Sequence, residues 1–224
     1  MRTEHHQTGG FTGLSLLKII PMFAGLSESQ LEQIAKMAVR RKVPRNTTIV
    51  HAGDSTDSLF VIVSGSAKVL NRDVEGNEVI LTLLSAGECF GEMGLIDGSP
   101  RSADVVASES CELLAITKPD FMKALAGNVE LCLNIMKSLV LRLREANRKI
   151  ESLALMDVYG RVAKLLLDFS VKENGLRVIR RKVTKQDMAK MVGASREMVS
   201  RVMKDLERSG YLRVEEGRIV LTED

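Results

Sequence analysis

The chain has 224 residues, of which 45% are hydrophobic and 27% are charged, a composition typical of folded proteins and unlike that of disordered ones. It is long enough for one large domain or two modest ones. Its net charge is +3, and the excess lies near the end: residues 158–224 hold 15 basic and 10 acidic side chains. Such an excess suits a surface that faces phosphate groups.

The sequence lacks the usual signals for export, membranes and disulfides. No apolar run approaches the roughly 18 residues that a membrane span needs, and the start, MRTEHHQTGGFTG, has no signal-peptide core. We therefore expect a cytoplasmic protein that does not contact a membrane. Cys89, Cys111 and Cys132 are odd in number and lack CxxC spacing. We expect reduced core thiols, with no disulfide framework and no metal site.

The first half of the chain changes from helical to strand patterning. Residues 14–39 have helical spacing, with Ser27 and Gln30 as a capping box. Residues 43–116 then alternate short apolar runs with glycine-containing turns. The predicted strands are 47–50, 59–63, 67–70, 79–84, 103–107 and 111–116. Short strands at this spacing predict a closed antiparallel barrel or a jelly roll.

A long helix is predicted to follow these strands. Thr117 and Pro119 form its start signature. Apolar residues then recur at alternating spacings of four and three, the seam of a coiled coil. The seam comprises Cys132, Met136, Leu139, Leu143, Ala146, Ile150 and Leu153. We assign the residues from Met136 onward to a homodimer contact, because packing on one domain does not require so strict a period. Packing within one subunit is the alternative.

A second domain is predicted to begin near residue 157. A helix over 160–171 precedes a glycine-containing loop at 172–177. We divide the chain into a β-rich domain at 1–118, a coiled-coil helix at 119–156 and a C-terminal domain at 157–224.

Capping residues in this last region predict a helix-turn-helix. Thr184 caps a first helix that runs through Lys190, and Ser195 caps a second one that reaches Arg208. Two alternating strands around residues 216–217 then predict a hairpin wing.

Residues 90–95 read FGEMGL with RSA at 101–103, and residues 192–201 read VGASREMVSR. These two motifs, in this order, resemble those of the cyclic AMP receptor family of transcription regulators, the Crp/Fnr or catabolite activator family. DVYGR at 157–161 joins them, and the resemblance covers nearly the whole chain from Leu16. It implies an α+β fold: an N-terminal β jelly-roll cyclic-nucleotide-binding domain, a long dimerisation helix and a C-terminal winged helix-turn-helix.

The resemblance assigns a cyclic nucleotide to the jelly roll. A cyclic nucleotide offers a phosphate anion and a ribose hydroxyl, for which Arg101 supplies a bidentate cation, Ser102 a hydroxyl and Glu92 a carboxylate. Gly91 and Gly94 would let backbone N–H groups approach the anion. The predicted ligand-binding residues are Gly91, Glu92, Met93, Arg101, Ser102 and Asn147. An exposed Arg–Glu pair on a barrel turn is the alternative.

The side of the site that would hold the base departs from the family pattern. The family's hydroxyl residues that hold adenine across the dimer correspond to Ala146 and Asn147 here. Asn147 can hydrogen-bond a purine edge, whereas Ala146 cannot. We expect cyclic AMP or cyclic GMP as the effector, and cyclic di-GMP or activity without a ligand stays open. No covalent cofactor, metal or catalytic residue is expected.

The second motif predicts the DNA contacts. Arginine is the usual bidentate contact of guanine, and glutamate accepts from cytosine N4. Arg196, Glu197 and Arg201 fall on one side of the second helix, while Ser195 and Lys185 suit phosphate. The predicted DNA-binding residues are Lys185, Ser195, Arg196, Glu197, Ser200 and Arg201. By resemblance, the expected half-sites are similar to TGTGA.

The sequence therefore predicts a homodimeric, ligand-controlled transcription regulator that binds palindromic promoter sites and is not an enzyme. Its expected partners are double-stranded DNA, a second copy of the chain and RNA polymerase. A cupin-like barrel enzyme is the alternative from another class, but it needs clustered His and Glu ligands, and only one His follows residue 6. A nucleotide-sensing module that does not bind DNA would leave the motif at 195–201 unexplained.

Overall fold

The computed structural model describes residues 17–18, 20–180, 183–215 and 218–222. These residues form two compact units. The first lies within Met1–Asn71 and Leu81–Arg142, and the second lies within Arg72–Ile80 and Leu143–Asp224.

Eight described strands before residue 118 form two four-stranded antiparallel sheets. In one sheet the strand order is β1-β8-β3-β6, and in the other it is β2-β7-β4-β5. The strands are β1 (Val39–Val43), β2 (Thr48–Val50), β3 (Ser58–Ser64), β4 (Ser66–Arg72), β5 (Glu78–Ser85), β6 (Cys89–Phe90), β7 (Asp104–Ala107) and β8 (Cys111–Thr117). Phe60 and Phe90 stack in the core with ring centroids 5.2 Å apart. This architecture confirms the predicted β-rich sensor.

All six predicted strands are present, and β1 and β6 are additional. Strand β1 lies at the edge of its sheet and has the sequence VRRKV, with four of its five residues exposed. Because it buries almost nothing, it has no alternation of apolar and polar residues from which it could be predicted. Strand β6 has only two residues, both of them buried.

Helices precede, interrupt and follow these strands along the chain. They are a 3₁₀ helix (Pro21–Phe23), α1 (Glu28–Met37), α2 (Glu92–Asp97), α3 (Lys118–Ala126) and α4 (Val129–Leu155). The capping box of α1 is confirmed, because Ser27 accepts from the backbone N–H of Gln30 and the Gln30 side chain accepts from that of Ser27. The helix ends at Met37, before the predicted residue 39, because Ala38 is already extended.

The predicted long helix is present as α4, but it begins at Val129 and not directly after Thr117, because the segment forms two helices. Thr117 caps α3 as predicted. Helix α3 then ends at Gly127, and Asn128 starts α4 by accepting a hydrogen bond from the Leu131 backbone N–H at 3.1 Å. The two axes differ by 112°. No single helix in the described ranges is long and apolar enough to span a membrane, although α3 and α4 together pass that test by length and composition.

The second unit contains the helix-turn-helix. Its elements are α5 (Val158–Phe169), β9 (Val171–Glu173), β10 (Leu176–Ile179), α6 (Lys185–Val192), α7 (Arg196–Arg208), β11 (Leu212–Glu215) and β12 (Arg218–Leu221). The predicted caps are confirmed: Thr184 accepts from the N–H of Asp187, and Ser195 accepts from that of Met198. Gly193 ends α6 in the left-handed conformation, with φ of 62°. Between them, these residues set the turn that joins α6 to α7.

The loop predicted at 172–177 is wrong, because these residues form a β-hairpin. Strands β9 and β10 pair antiparallel around Asn174 and Gly175, whose φ values are +49° and +82°. The hairpin joins the two predicted wing strands in one sheet of order β11-β12-β10-β9. The predicted wing turn at residues 216–217 lies outside the described residues.

The core of the second unit packs the helix-turn-helix. Apolar residues from α5, α6 and α7 form one buried cluster with β10, β11 and β12. Its members include Val162, Leu166, Met188, Ala189, Val192, Val199, Val202, Leu206 and Leu212. With this face of α7 buried, its opposite face is available to solvent.

Candidate functional site

Glu92 is a buried carboxylate at the start of α2. It is only 2% exposed. Its Oε1 accepts a 2.6 Å hydrogen bond from Arg142 Nη1, while its Oε2 is buried without a hydrogen-bond partner among the described residues. A buried unpartnered acceptor is costly, so the site suits a ligand that brings a donor such as a ribose hydroxyl.

Arg101 lies beside the loop that leads into α2. It is 7% exposed, donates to the carbonyl oxygens of Gly91 at 3.1 Å and Ser58 at 2.7 Å, and lies over the Phe60 ring. Burial lowers the pKa of Arg101, and this effect is opposed by the negative charges of nearby carboxylates, first that of Asp57. A guanidinium carries five N–H donors, so these two hydrogen bonds leave donors for an anion.

The backbone conformation and the close approach of Arg101 require glycine at residue 91. Its φ is +86°, and a Cβ atom there would lie 2.1 Å from Arg101 Nη1. At Gly94, a Cβ would lie 2.3 Å from both the Ser99 carbonyl oxygen and Thr56 Oγ1. Both glycines therefore make room for neighbouring protein groups, a packing role that the sequence argument about backbone approach to an anion did not include.

The predicted ligand residues are only partly brought together. Gly91 and Arg101 are in contact, and the negative charge of Glu92 acts on Arg101. Met93 and Ser102 are exposed to solvent. Asn147 belongs to the second compact unit. The roles of these residues in ligand binding stay predictions.

Arg142 is a site residue that the sequence argument missed. Besides its bond to Glu92, it donates to the Cys89 carbonyl oxygen at 2.6 Å. Leu131 and Ile135 of α4 are buried, and Leu139 packs beside them. Arg142 follows Leu139 by three residues and so lies on the same face of the helix. The face of α4 toward its own core therefore ends in a cation, but the spacing alone does not identify Glu92 as the acid that this cation meets.

The exposed face of α7 gathers the predicted DNA contacts. A shallow depression of about 470 Å³ is lined by Arg196, Glu197, Ser200, Arg201 and Lys204. Within the described part of the chain, none of its three cations has an acidic partner, so the depression is basic. Lys204 was not predicted, although its spacing of three from Arg201 places it on the same helix face.

Two further predicted contacts lie at the helix starts. Lys185 Nζ is 3.4 Å from Ser200 Oγ, so the first residue of α6 lies beside the exposed face of α7. The Ser195 oxygen accepts from the Met198 N–H at 3.1 Å, which leaves the hydroxyl hydrogen free to donate to a phosphate. Helix starts of this kind favour anions.

Helix α4 presents apolar side chains to solvent along much of its length. Of the six residues assigned to a dimer contact, Met136, Leu143, Ala146, Ile150 and Leu153 are exposed. Leu139 is half-buried and packs against the core of the first unit. Exposed apolar stripes of this length are typical of surfaces that bind another protein.

Comparison with known proteins gives two family matches. Residues 40–128 match the cyclic nucleotide-binding domain, and residues 160–223 match the Crp-like helix-turn-helix domain. The first contains Glu92 and Arg101, and the second contains the whole exposed face of α7.

Relatives match over most of their length. The chain is 35% identical over 187 residues to the cAMP-activated global transcriptional regulator CRP of Haemophilus influenzae, covering 80% of this chain and 82% of the relative. It is 36% identical over 201 residues to the cAMP-activated regulator Vfr of Pseudomonas aeruginosa, covering 85% and 92%.

A solved structure has a similar fold. The c-di-GMP responsive global regulator CLP of Xanthomonas campestris has a TM-score of 0.75 and 28% identity, covering 88% of this chain and 100% of that one. The chain therefore belongs to the Crp/Fnr family of cyclic-nucleotide-responsive, DNA-binding transcription regulators.

Proposed function

We propose that a purine cyclic mononucleotide, cyclic AMP or cyclic GMP, binds between Glu92 and Arg101 and controls DNA binding by a homodimer. The observation that carries this proposal is the buried Glu92 carboxylate with one unpartnered oxygen. A ribose hydroxyl would satisfy that oxygen, and Arg101 would hold the phosphate with the help of Ser102. The names of the cAMP-activated relatives support activation by a mononucleotide. We propose that this activation is a rise in DNA affinity.

Cyclic di-GMP is the second candidate effector, favoured by the similarity to the c-di-GMP responsive regulator. Its two guanines differ from a single purine in size and hydrogen-bonding groups. Ala146 offers no hydrogen bond to a base, so Asn147 would be the side chain on this part of α4 able to contact one.

Isothermal titration calorimetry with the full chain tests the effector directly. Cyclic AMP, cyclic GMP and cyclic di-GMP are titrated separately. We expect one of the two mononucleotides to bind with the highest affinity and Glu92→Gln to weaken it, because an amide donates where the ribose hydroxyl also donates. Tightest binding by cyclic di-GMP would overturn the mononucleotide proposal, and no binding by any of the three would leave a regulator active without a ligand.

The DNA-bound assembly proposed here is a two-fold dimer on an inverted repeat. The apolar stripe of α4 supports the dimer, and the basic face of α7 supports contact with bases in the major groove. Arg196, Glu197, Ser200 and Arg201 would contact base edges, while Lys185 and Ser195 would contact phosphates. RNA polymerase is the expected further partner, and the cytoplasm is the expected location.

The three predicted domain ranges, 1–118, 119–156 and 157–224, belong to the same proposal. The family consists of transcription regulators, so we also propose that the chain has no catalytic activity. In the described ranges, no three His, Cys, Asp or Glu side chains could hold a metal ion together.

A further inference from the structure

The exposed apolar stripe of α4 follows a heptad pattern with a single polar interruption. Its members alternate at spacings of three and four. They are Leu133, Met136, Val140, Leu143, Asn147, Ile150 and Ala154. The five large apolar members are between 40% and 64% exposed. This stripe is rotated from the predicted seam: it shares Met136, Leu143 and Ile150 with that seam and replaces Leu139 with Val140.

Asn147 lies in the middle of this stripe without a partner of its own. Helix α4 has one other asparagine, Asn134, which donates to the carbonyl oxygens of Met22 at 3.3 Å and Ala24 at 2.7 Å. Within the described residues, the Asn147 side chain makes no hydrogen bond, and it is exposed. The first asparagine therefore stabilises its own unit, whereas the second remains available to contact a group outside the chain.

The position of Asn147 in the heptad decides what it can do. When Leu133 is taken as position a, Met136 is d, Val140 is a, Leu143 is d and Asn147 is a. In a two-stranded parallel coiled coil, equivalent a positions of the two helices face each other. Two Asn147 side chains would then meet at the two-fold axis, where the amide oxygen of one accepts from the amide nitrogen of the other.

We infer that Asn147 pairs with Asn147 of a second copy and thereby fixes the register and the two-stranded state of the dimer, an inference that rests on the proposed homodimer. A slip of one heptad would place each Asn147 opposite Val140 or Ala154 and bury both amides unpaired. The in-register dimer is the arrangement that satisfies them. Each amide keeps a further N–H, which stays available for a purine edge.

The strength of the dimer gives the first test. Sedimentation equilibrium is run on the full chain, on Asn147→Leu and on Arg148→Leu, an exposed neighbour outside the stripe. A buried asparagine specifies pairing at a cost in stability. We therefore expect Asn147→Leu to lower the dimer dissociation constant by about tenfold or more, or to form trimers and tetramers. Arg148→Leu should keep the dissociation constant of the parent.

Register is tested by disulfide cross-linking in a Cys132→Ser background. Chains carrying Leu143→Cys are mixed with chains carrying Ile150→Cys, with and without Asn147→Leu. A disulfide needs Cα atoms about 4.4 to 6.8 Å apart, so a cross-link from 143 to 150 forms only if the helices slip by one heptad. We expect it to be absent with Asn147 present and to appear with Asn147→Leu. The 143–143 cross-link in unmixed Leu143→Cys is the positive control.

The outcomes separate this inference from the dimer proposal. If the parent chain is a monomer and the Leu143→Cys variant forms no 143–143 cross-link, the proposed homodimer is wrong. If the parent is a dimer and the Leu143→Cys variant cross-links, but Asn147→Leu changes neither the dissociation constant, the oligomer size nor the slipped cross-link, the homodimer stands and the role assigned to Asn147 is wrong.

Discussion

Arg142 in helix α4 holds the buried carboxylate of Glu92, fifty residues earlier in the chain, through a 2.6 Å hydrogen bond. The Glu92 side chain is 3% exposed, whereas that of Arg142 is 38% exposed. The same guanidinium donates to the Cys89 carbonyl oxygen, so one side chain fixes both ends of the turn into α2. The acid proposed to contact the ribose is therefore positioned from the helix that is also proposed to form the dimer.

Removing this cation should destabilise the sensor. Arg142→Met leaves Glu92 Oε1 buried without its donor, so we expect the free energy of unfolding to fall by about 1 to 3 kcal/mol in urea denaturation. The partial exposure of Arg142 keeps the expected loss below that of a fully buried pair. Arg144→Met, an exposed change in the same helix, is the control. Adding Glu92→Gln to Arg142→Met should recover part of the loss, because the neutral amide is less costly to bury. Equal stability of Arg142→Met and Arg144→Met would contradict this account.

Arg101 is expected to dominate phosphate binding. Arg101→Leu leaves the anion without its bidentate partner, so nucleotide affinity measured by calorimetry should fall by about 2 to 5 kcal/mol. Arg101→Lys keeps the positive charge but loses the planar N–H donors that bind phosphate bidentately, so its nucleotide affinity should be intermediate.

Arg101 also donates to Ser58 and Gly91 carbonyl oxygens, so thermal unfolding must accompany the calorimetry. Arg45→Leu, an exposed change in the same unit, is the matched control. A folded Arg101→Leu variant that binds the nucleotide as tightly as the parent would rule out the phosphate role.

The apolar stripe predicts which apolar residues of α4 hold the dimer together. Leu143→Glu with Ile150→Glu would bring four carboxylates into one desolvated contact of the dimer, and we expect monomers in sedimentation equilibrium. Leu141→Glu is a matched control, because Leu141 is 64% exposed, as Ile150 is, but lies outside the stripe. It should remain a dimer. A double variant that still sediments as a dimer at micromolar concentration would show that the stripe is not the contact.

The three cysteines should differ in chemistry. Burial raises the pKa of the Cys89 thiol from 9.0 to about 12, and the negative charge of Glu92 adds to this. The native state therefore keeps a proton that the unfolded chain releases, so the contribution of Cys89 to stability falls as the pH rises from 9.0 toward about 12.

Urea denaturation of the parent and of Cys89→Ala at a series of alkaline pH values checks this. The parent should lose more stability than the variant over that range. Native alkylation gives a second measurement, in which half-buried Cys132 should react before Cys89 and Cys111, both of which are buried. Parallel pH curves for parent and variant would contradict the assigned pKa.

The features that the sequence predicts well are those set by local chemistry. Ser27, Thr117, Thr184 and Ser195 all cap helices as expected, because a short hydroxyl side chain before a helical run satisfies exposed backbone N–H groups whatever surrounds it. The six predicted strands of the sensor are likewise encoded locally, by short apolar runs that are bounded by turns.

Features set by tertiary context could not be predicted in this way. The break at Gly127 and Asn128 interrupts a segment whose apolar spacing continues on both sides. The spacing alone therefore predicts one continuous helix there. Strand β1 is mostly exposed, and Arg142 acquires its role from Glu92, which is distant in sequence. The predicted seam of α4 includes Leu139, which instead packs on the core of its own unit. Each of these depends on what lies opposite the residue, which one sequence does not record.

Measurements of DNA affinity should distinguish base contacts from phosphate contacts on α6 and α7. Arg196→Ala should lose about 1 to 3 kcal/mol on the preferred site and relax preference at one base position. Lys185→Ala should weaken binding to all sequences alike and reduce the salt dependence, because it removes a phosphate contact. Fluorescence anisotropy on base-substituted probes at two salt concentrations distinguishes these patterns. Unchanged base preference in Arg196→Ala would show that this residue does not contact a base.

The most direct test of ligand-controlled DNA binding is the affinity of the full chain for an inverted repeat of TGTGA half-sites, with and without the nucleotide that binds tightest in calorimetry. The half-sites are spaced one helical turn apart, roughly 34 to 36 Å, and anisotropy is measured against a scrambled probe. The account predicts one dimer per repeat, with affinity that the nucleotide raises for the parent chain and not for Arg101→Leu. Equal affinity for repeat and scrambled probes under every nucleotide would contradict it.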